Sequence, residues 1–145
     1  MSKASTGSET INAGLTQVAA ALYAVDEYAK WADGISAVSN IDRDDRGQIT
    51  RATLLIEAGV IRDEVTLEYD WSEIPERLNF KFVNGKLLKK MDGAYILEQV
   101  SAASTKVTYE LSVDVSMFIP RAMIVSQEKA IITRALLQLK EFVER

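Results

Sequence analysis

No histidine and no cysteine occur in the 145 residues, so bond-making chemistry would fall to carboxylates, lysine, tyrosine, serine, threonine or arginine. The missing types also remove the commonest transition-metal ligand and every thiolate or disulfide, and neither a metal nor a cofactor is expected. Two carboxylates stand where proton transfer would need one. Glu128 falls on the apolar line of a long C-terminal helix, and Asp63 shares strand parity with Val65 at the rim of an interior. Either would take a proton while a tyrosine hydroxyl stabilised an enolate oxygen. Such a base must be desolvated, with its pKa raised toward neutrality. The plainer alternative for Asp63 is a strand end that turns outward.

The helix frames the question for Glu128. Pro120 suits a first turn, no Pro or Gly interrupts 121–145, and about 1.5 Å per residue makes a rod of about 37 Å. Winding it at about 100° per residue from Leu139 places Val125, Ile132, Ala135, Leu136, Phe142 and Val143 within about 60° of one line. Arg121 falls at about 0° and Glu128 at about −20°, so the stripe turns charged only in its N-terminal half. Either that half protrudes and both charges are solvated, or it faces a cavity or its mouth and they orient a mostly apolar ligand.

Earlier in the chain the pattern builds a wall. A short strand is predicted at 8–12 after a flexible 1–7, then a helix at 15–25 and a second short helix at 26–34 closed by Gly34. From residue 35 the period becomes two. Strands are predicted at 35–41 and 48–58 around a charged turn, at 61–71, around Leu78, Phe80 and Phe82, at 91–99 and at 106–115. Short turns between consecutive strands imply an antiparallel meander, and only the last helix is long enough to cover its apolar face. The fold class is therefore α+β, in one domain over 1–145.

Val65, Leu67, Tyr69, Phe80, Phe82, Tyr95 and Tyr109 share the inward parity, and core packing alone accounts for them as well as a ligand would. The phenols carry more information, because a buried hydroxyl needs a partner. Trp31, just ahead of the Gly cap, is either a packing anchor or a ligand contact. Lys86, Lys89 and Lys90 flank Leu87 and Leu88 on a hairpin, read as a solvated turn or as a gate touching an anionic surface.

A net charge of −4 and scattered basic residues argue against nucleic acid. No apolar run approaches the roughly 20 residues of a membrane span, so stable membrane insertion is not expected and a cytoplasmic location follows by default.

The stretches Tyr-Ala-Lys-Trp-Ala-Asp-Gly at 28–34, Tyr-Asp-Trp at 69–71, Met-Asp-Gly-Ala-Tyr at 91–95 and Val-Thr-Tyr-Glu-Leu at 107–111 together resemble the START-like polyketide cyclase/dehydrase family. The resemblance implies a helix-grip fold: a curved antiparallel sheet of about seven strands wrapped around a long C-terminal helix, with two short helices after the first strand. It also implies a cavity between sheet and helix for a lipid, quinone or polyketide-like molecule, and aromatase/cyclase activity in some members. Those enzymes place Asn on the cavity side of the last helix and Arg in the sheet wall. Here 127–139 holds no Asn, and Arg51 and Arg62 alternate outward.

The resulting expectation is a protein, monomeric or weakly dimeric, that binds or transports a small hydrophobic molecule through Trp31, Val65, Leu67, Tyr69, Phe80, Phe82, Tyr95, Tyr109, Arg121, Val125 and Glu128. The alternatives are a polyketide cyclase/dehydratase and a ligand-free or dimeric scaffold. An interior void of about 300 Å³ would favour binding, and a filled interior the scaffold.

Overall fold

Strict alternation in β4 (Ile61–Asp70) shows how the wall forms: Ile61, Asp63, Val65, Leu67 and Tyr69 are buried, while Arg62, Glu64 and Asp70 face solvent. The computed structural model describes residues 4–59 and 61–145. Its other elements are β1 (Ser5–Ile11), α1 (Leu15–Tyr23), a short 3-10 helix (Val25–Lys30), β2 (Ile35–Arg43), β3 (Ile49–Ala58), β5 (Arg77–Asn84), β6 (Leu88–Ser101), β7 (Ser104–Val115) and α2 (Arg121–Val143). Seven strands make one antiparallel sheet in the order β1-β7-β6-β5-β4-β3-β2. This is the helix-grip arrangement.

Helix α2 buries Ile124, Glu128, Ile132, Leu136, Leu139 and Val143, a stripe stepping by three or four residues. It lies directly on β1. A side chain at Gly7 would meet Ile132 Cγ2 at 2.7 Å, so the bare glycine backbone sets how closely helix and strand approach. Beside this contact Glu128 has no solvent exposure. Its Oε1 accepts a hydrogen bond from Ser5 Oγ at 2.7 Å, and its Oε2 accepts one from the Val113 amide at 2.6 Å. Arg121 Nη2 stands 3.7 Å from the same carboxylate. Glu128 is thus neither solvated nor at a cavity mouth. Among the described residues β1 pairs with β7 only as far as Leu111, and the carboxylate supplies an acceptor for the Val113 amide beyond that point.

Several elements differ from expectation. The opening strand starts before residue 8, because Ser5, Thr6 and Gly7 pair with Leu111, Glu110 and Tyr109; residues 1–3 of the expected flexible segment lie outside the described residues. The second helix is a 3-10 turn at Val25–Lys30, drawn under α1 by the Tyr28 hydroxyl, which donates to Leu22 O at 2.5 Å. Strand β6 is longer than 91–99, since its pairing with β7 runs from Leu88 to a tight turn at Ser101 and Ser104. Strand β2 is irregular: its register with β3 shifts three times, and Asn40 sits at φ 49°. Arg51 and Arg62 are on the solvent side, paired with Glu68 and Glu57. Among the described residues no helix is long and apolar enough to cross a membrane.

Replacing Glu128 with Ala strands the Val113 amide and the Ser5 hydroxyl in a dry environment and is expected to cost about 3 kcal/mol. Urea unfolding measures this, and a loss under about 1 kcal/mol would show that the clasp does not hold the helix.

Candidate ligand cavity

Because one flank of α2 rests on β1 and β7, its other flank faces the inner surface of the sheet across a gap. A cavity of about 80 Å³ lies there. Leu54 and Ile56 of β3, Leu67 and Tyr69 of β4, Phe80 of β5, Met91 and Tyr95 of β6 and Tyr109 of β7 form its wall. Ile131 and Ala135 of α2 form the roof, and Tyr28 and Trp31 contribute from the 3-10 helix and its end. Exposed lining residues mark the mouth, where Asp33 Oδ2 accepts a hydrogen bond from Arg134 Nη2 at 2.5 Å and the Asp33 amide donates to Gln138 Oε1 at 3.1 Å. Gly34, Ile35 and Ala58 complete this edge.

The aromatic rings make one connected cluster. Phe80 lies 6.1 Å from Tyr69, 6.4 Å from Tyr95 and 6.3 Å from Tyr109, and Tyr95 stacks on Tyr109 at 4.3 Å. Gly93 makes room for it: a side chain there would meet Phe80 Cζ at 2.7 Å and also press on the Glu110 carbonyl. Burial pushes the phenols of Tyr28, Tyr69 and Tyr95 up in pKa, each helped by neighbouring tyrosines. Burial likewise raises Tyr109 to about 12, opposed by a hydrogen bond with Tyr95. All of these hydroxyls are neutral at physiological pH, and that of Tyr28 is spent on the Leu22 carbonyl. Trp31 Nε1 is buried and has no hydrogen-bond partner among the described residues.

Of the residues expected to hold a ligand, Trp31, Leu67, Tyr69, Phe80, Tyr95 and Tyr109 meet around this cavity. Val65 is fully buried in β4 but does not line it, and Phe82 is half-buried beside Gly85 at the end of the sheet. Arg121, Val125 and Glu128 belong to the half of α2 that rests on the sheet, and none of them lines it. Asp63 is also elsewhere. Its carboxylate accepts hydrogen bonds from the amides of Lys86, Leu87 and Leu88 at 3.1, 3.0 and 2.9 Å and from Glu64 at 2.8 Å. Burial acts to raise its pKa, but these amides outweigh burial and hold it below the ordinary carboxylate value, the opposite of a base poised near neutrality. Asp33, at the mouth, is the carboxylate that lines the cavity. Among the described residues no group of three carboxylates is placed to hold a metal.

Sequence reasoning missed Tyr28, Met91 and the mouth. Met91 has the parity of Tyr95, a usable signal. Ile131, Ala135 and Gln138 follow i, i+4, i+7 spacing beside the main stripe, the mark of a helix that presents two faces inward.

A seven-stranded sheet gripping a terminal helix, with an aromatic cavity between them, defines a START-like helix-grip protein. The sequence matches the polyketide cyclase/dehydrase and lipid transport family over residues 11–140, and the chain belongs to that family. Its structure is similar to a START superfamily protein from Mycobacterium smegmatis, with TM-score 0.92 at 14% identity, covering 99% of this chain and 98% of that one. It also resembles the Zhui aromatase/cyclase from Streptomyces sp. R1128, with TM-score 0.77 at 15% identity over 99% and 94% of the two chains. The di-domain aromatase/cyclase BexL of the BE-7585A biosynthetic pathway matches with TM-score 0.72 at 20% identity, covering 99% of this chain and 47% of that one. At such identities the likeness is one of fold. No curated protein matches the sequence.

Two outcomes are expected from this geometry. Gly93→Ala overpacks the ring cluster and should cost about 2 kcal/mol, seen as a lower urea midpoint; an unchanged midpoint would contradict the contact. The neutral phenols contribute stability in full below about pH 10, the value of an unfolded tyrosine, and lose it as pH climbs through their raised folded values, about 12 for Tyr109. Phenolate absorbance from the cavity tyrosines should therefore rise together with unfolding. Ionisation in a still-folded protein would count against their burial.

Proposed function

We propose that the protein binds and carries a small, largely apolar molecule bearing a hydrogen-bond acceptor, in the cavity between the sheet and α2. The observation that carries this is chemical: the wall is apolar and aromatic, and Tyr69, Tyr95 and Tyr109 bring neutral hydroxyls to it. A cyclase or dehydratase would need a desolvated base among these residues, and neither Glu128 nor Asp63 lies there. The family supports both apolar-ligand binding and cyclase chemistry, and the residues inside favour the first.

The void of about 80 Å³ falls short of the roughly 300 Å³ that an ordinary ligand pocket occupies. As it stands the cavity holds only a few heavy atoms. A lipid, quinone or polyketide-like ligand enters by widening the mouth, where the Asp33–Arg134 tie is solvent-exposed, and such ion pairs contribute only about 0 to 1 kcal/mol.

Native mass spectrometry of freshly purified protein should find a retained small molecule. Tyr69→Phe keeps the phenyl ring and removes the hydroxyl, and is expected to weaken binding of that molecule, or of a naphthoquinone from a soaked panel, by about tenfold with little change in melting temperature. A protein that emerges empty and admits none of the soaked compounds would overturn the proposal.

A further inference from the structure

Antiparallel strands reverse at every turn, so the β3–β4, β5–β6 and β7–α2 connections gather at one end of the sheet. Ala58 at the close of β3 and Gly34 just ahead of β2, which edge the cavity, lie at this same end. An apolar projection stands there too. Phe118 is 96% exposed and Met117 56% in the β7–α2 connection, and Met123 is 49% exposed in the first turn of α2. A phenyl ring left almost wholly in water has no role in the fold that displays it.

Basic residues flank the projection. Lys86 is exposed on the β5–β6 connection, Lys89 is exposed and Lys90 half-buried at the start of β6, and Arg121 is exposed at the start of α2. The two connections are fastened together: the Ser116 amide donates to Leu87 O at 2.8 Å, Leu88 pairs with Val115, and Asp63 grips the amides of Lys86, Leu87 and Leu88. Of the carboxylates on these elements, Asp114 is exposed opposite Lys90 in register, Asp63 is held by the hairpin amides, and Glu128 lies 3.7 Å from Arg121. Lys86, Lys89 and Lys90 are the basic side chains left beside the projection, on a chain whose overall charge is −4.

We propose that this end docks reversibly on an anionic membrane surface, with Phe118 and Met117 entering the boundary between headgroups and acyl chains and Lys86 and Lys89 meeting lipid phosphates. A solitary protruding ring with a basic collar suits a yielding lipid interface better than the flat, close-packed face of a protein partner. Docking would bring this edge of the cavity to the bilayer, where an apolar cargo is loaded or released. That purpose rests on the carrier function proposed above, whereas the docking itself does not.

Flotation of the whole protein with vesicles tests it. Binding is expected to vesicles of mixed phosphatidylcholine and phosphatidylglycerol and to fall away on phosphatidylcholine alone. Each lysine near an anionic surface raises affinity about fivefold, so Lys86→Glu with Lys89→Glu should lower binding by at least about twentyfold. Phe118→Ser should weaken it about tenfold while the melting temperature stays the same, since the ring is exposed. Equal binding to both vesicle types, or undiminished binding by either variant, overturns the proposal. So does capture on immobilised polyglutamate with no flotation, which would assign the patch to an acidic protein partner. Because flotation needs no cavity ligand, an empty cavity sinks the carrier function alone, and failed flotation sinks the docking alone.

Discussion

Glu128 accepts hydrogen bonds from Ser5 on β1 and from the amide of Val113 on β7, out of reach of water, and this fixes where α2 lies. A dry carboxylate is tolerable only when its oxygens are satisfied, so the helix cannot slide or roll without stranding it. Gly7 lets the Ile132 turn settle on the strand beside it. With the helix held against that margin, its Ile131 and Ala135 flank is left facing the curved wall at a distance. The space between sheet and helix follows from a contact made outside it.

What fills the wall then determines its chemistry. Large rings on β4 to β7 converge because their strands are neighbours in the meander, and Gly93 yields the room they need. The phenols on this wall are neutral at physiological pH, and Asp33, the carboxylate at its mouth, is tied to Arg134. The family's description names both cyclase chemistry and lipid transport, and on a shared scaffold activities differ through the residues of the site.

Strand parity made much of this readable in advance. Leu67, Tyr69, Phe80, Tyr95 and Tyr109 alternate with polar residues, and a strand with one wet face has little choice about which side turns in. Helix periodicity was a poorer guide to the site. It located the buried stripe of α2 and Glu128 within it, but an angle around a helix does not say whether the facing surface is a void or a strand. Telling them apart required knowing that β1 begins at Ser5 beside Leu111, a pairing between residues more than a hundred apart in sequence. Tyr28 was hidden for a similar reason, since a 3-10 turn has too few residues to display a period.

The irregular β2 forms the outer margin of the sheet, with three register shifts and a left-handed backbone at Asn40. An open sheet exposes a ladder of unused amides and carbonyls along such a margin, an invitation to lateral growth by further copies. Here the rungs are out of step. A foreign strand arriving at Ser39 or Asp42 finds donors and acceptors displaced from the spacing it needs, so the kinks that make β2 look poorly formed leave this margin a poor template for lateral growth.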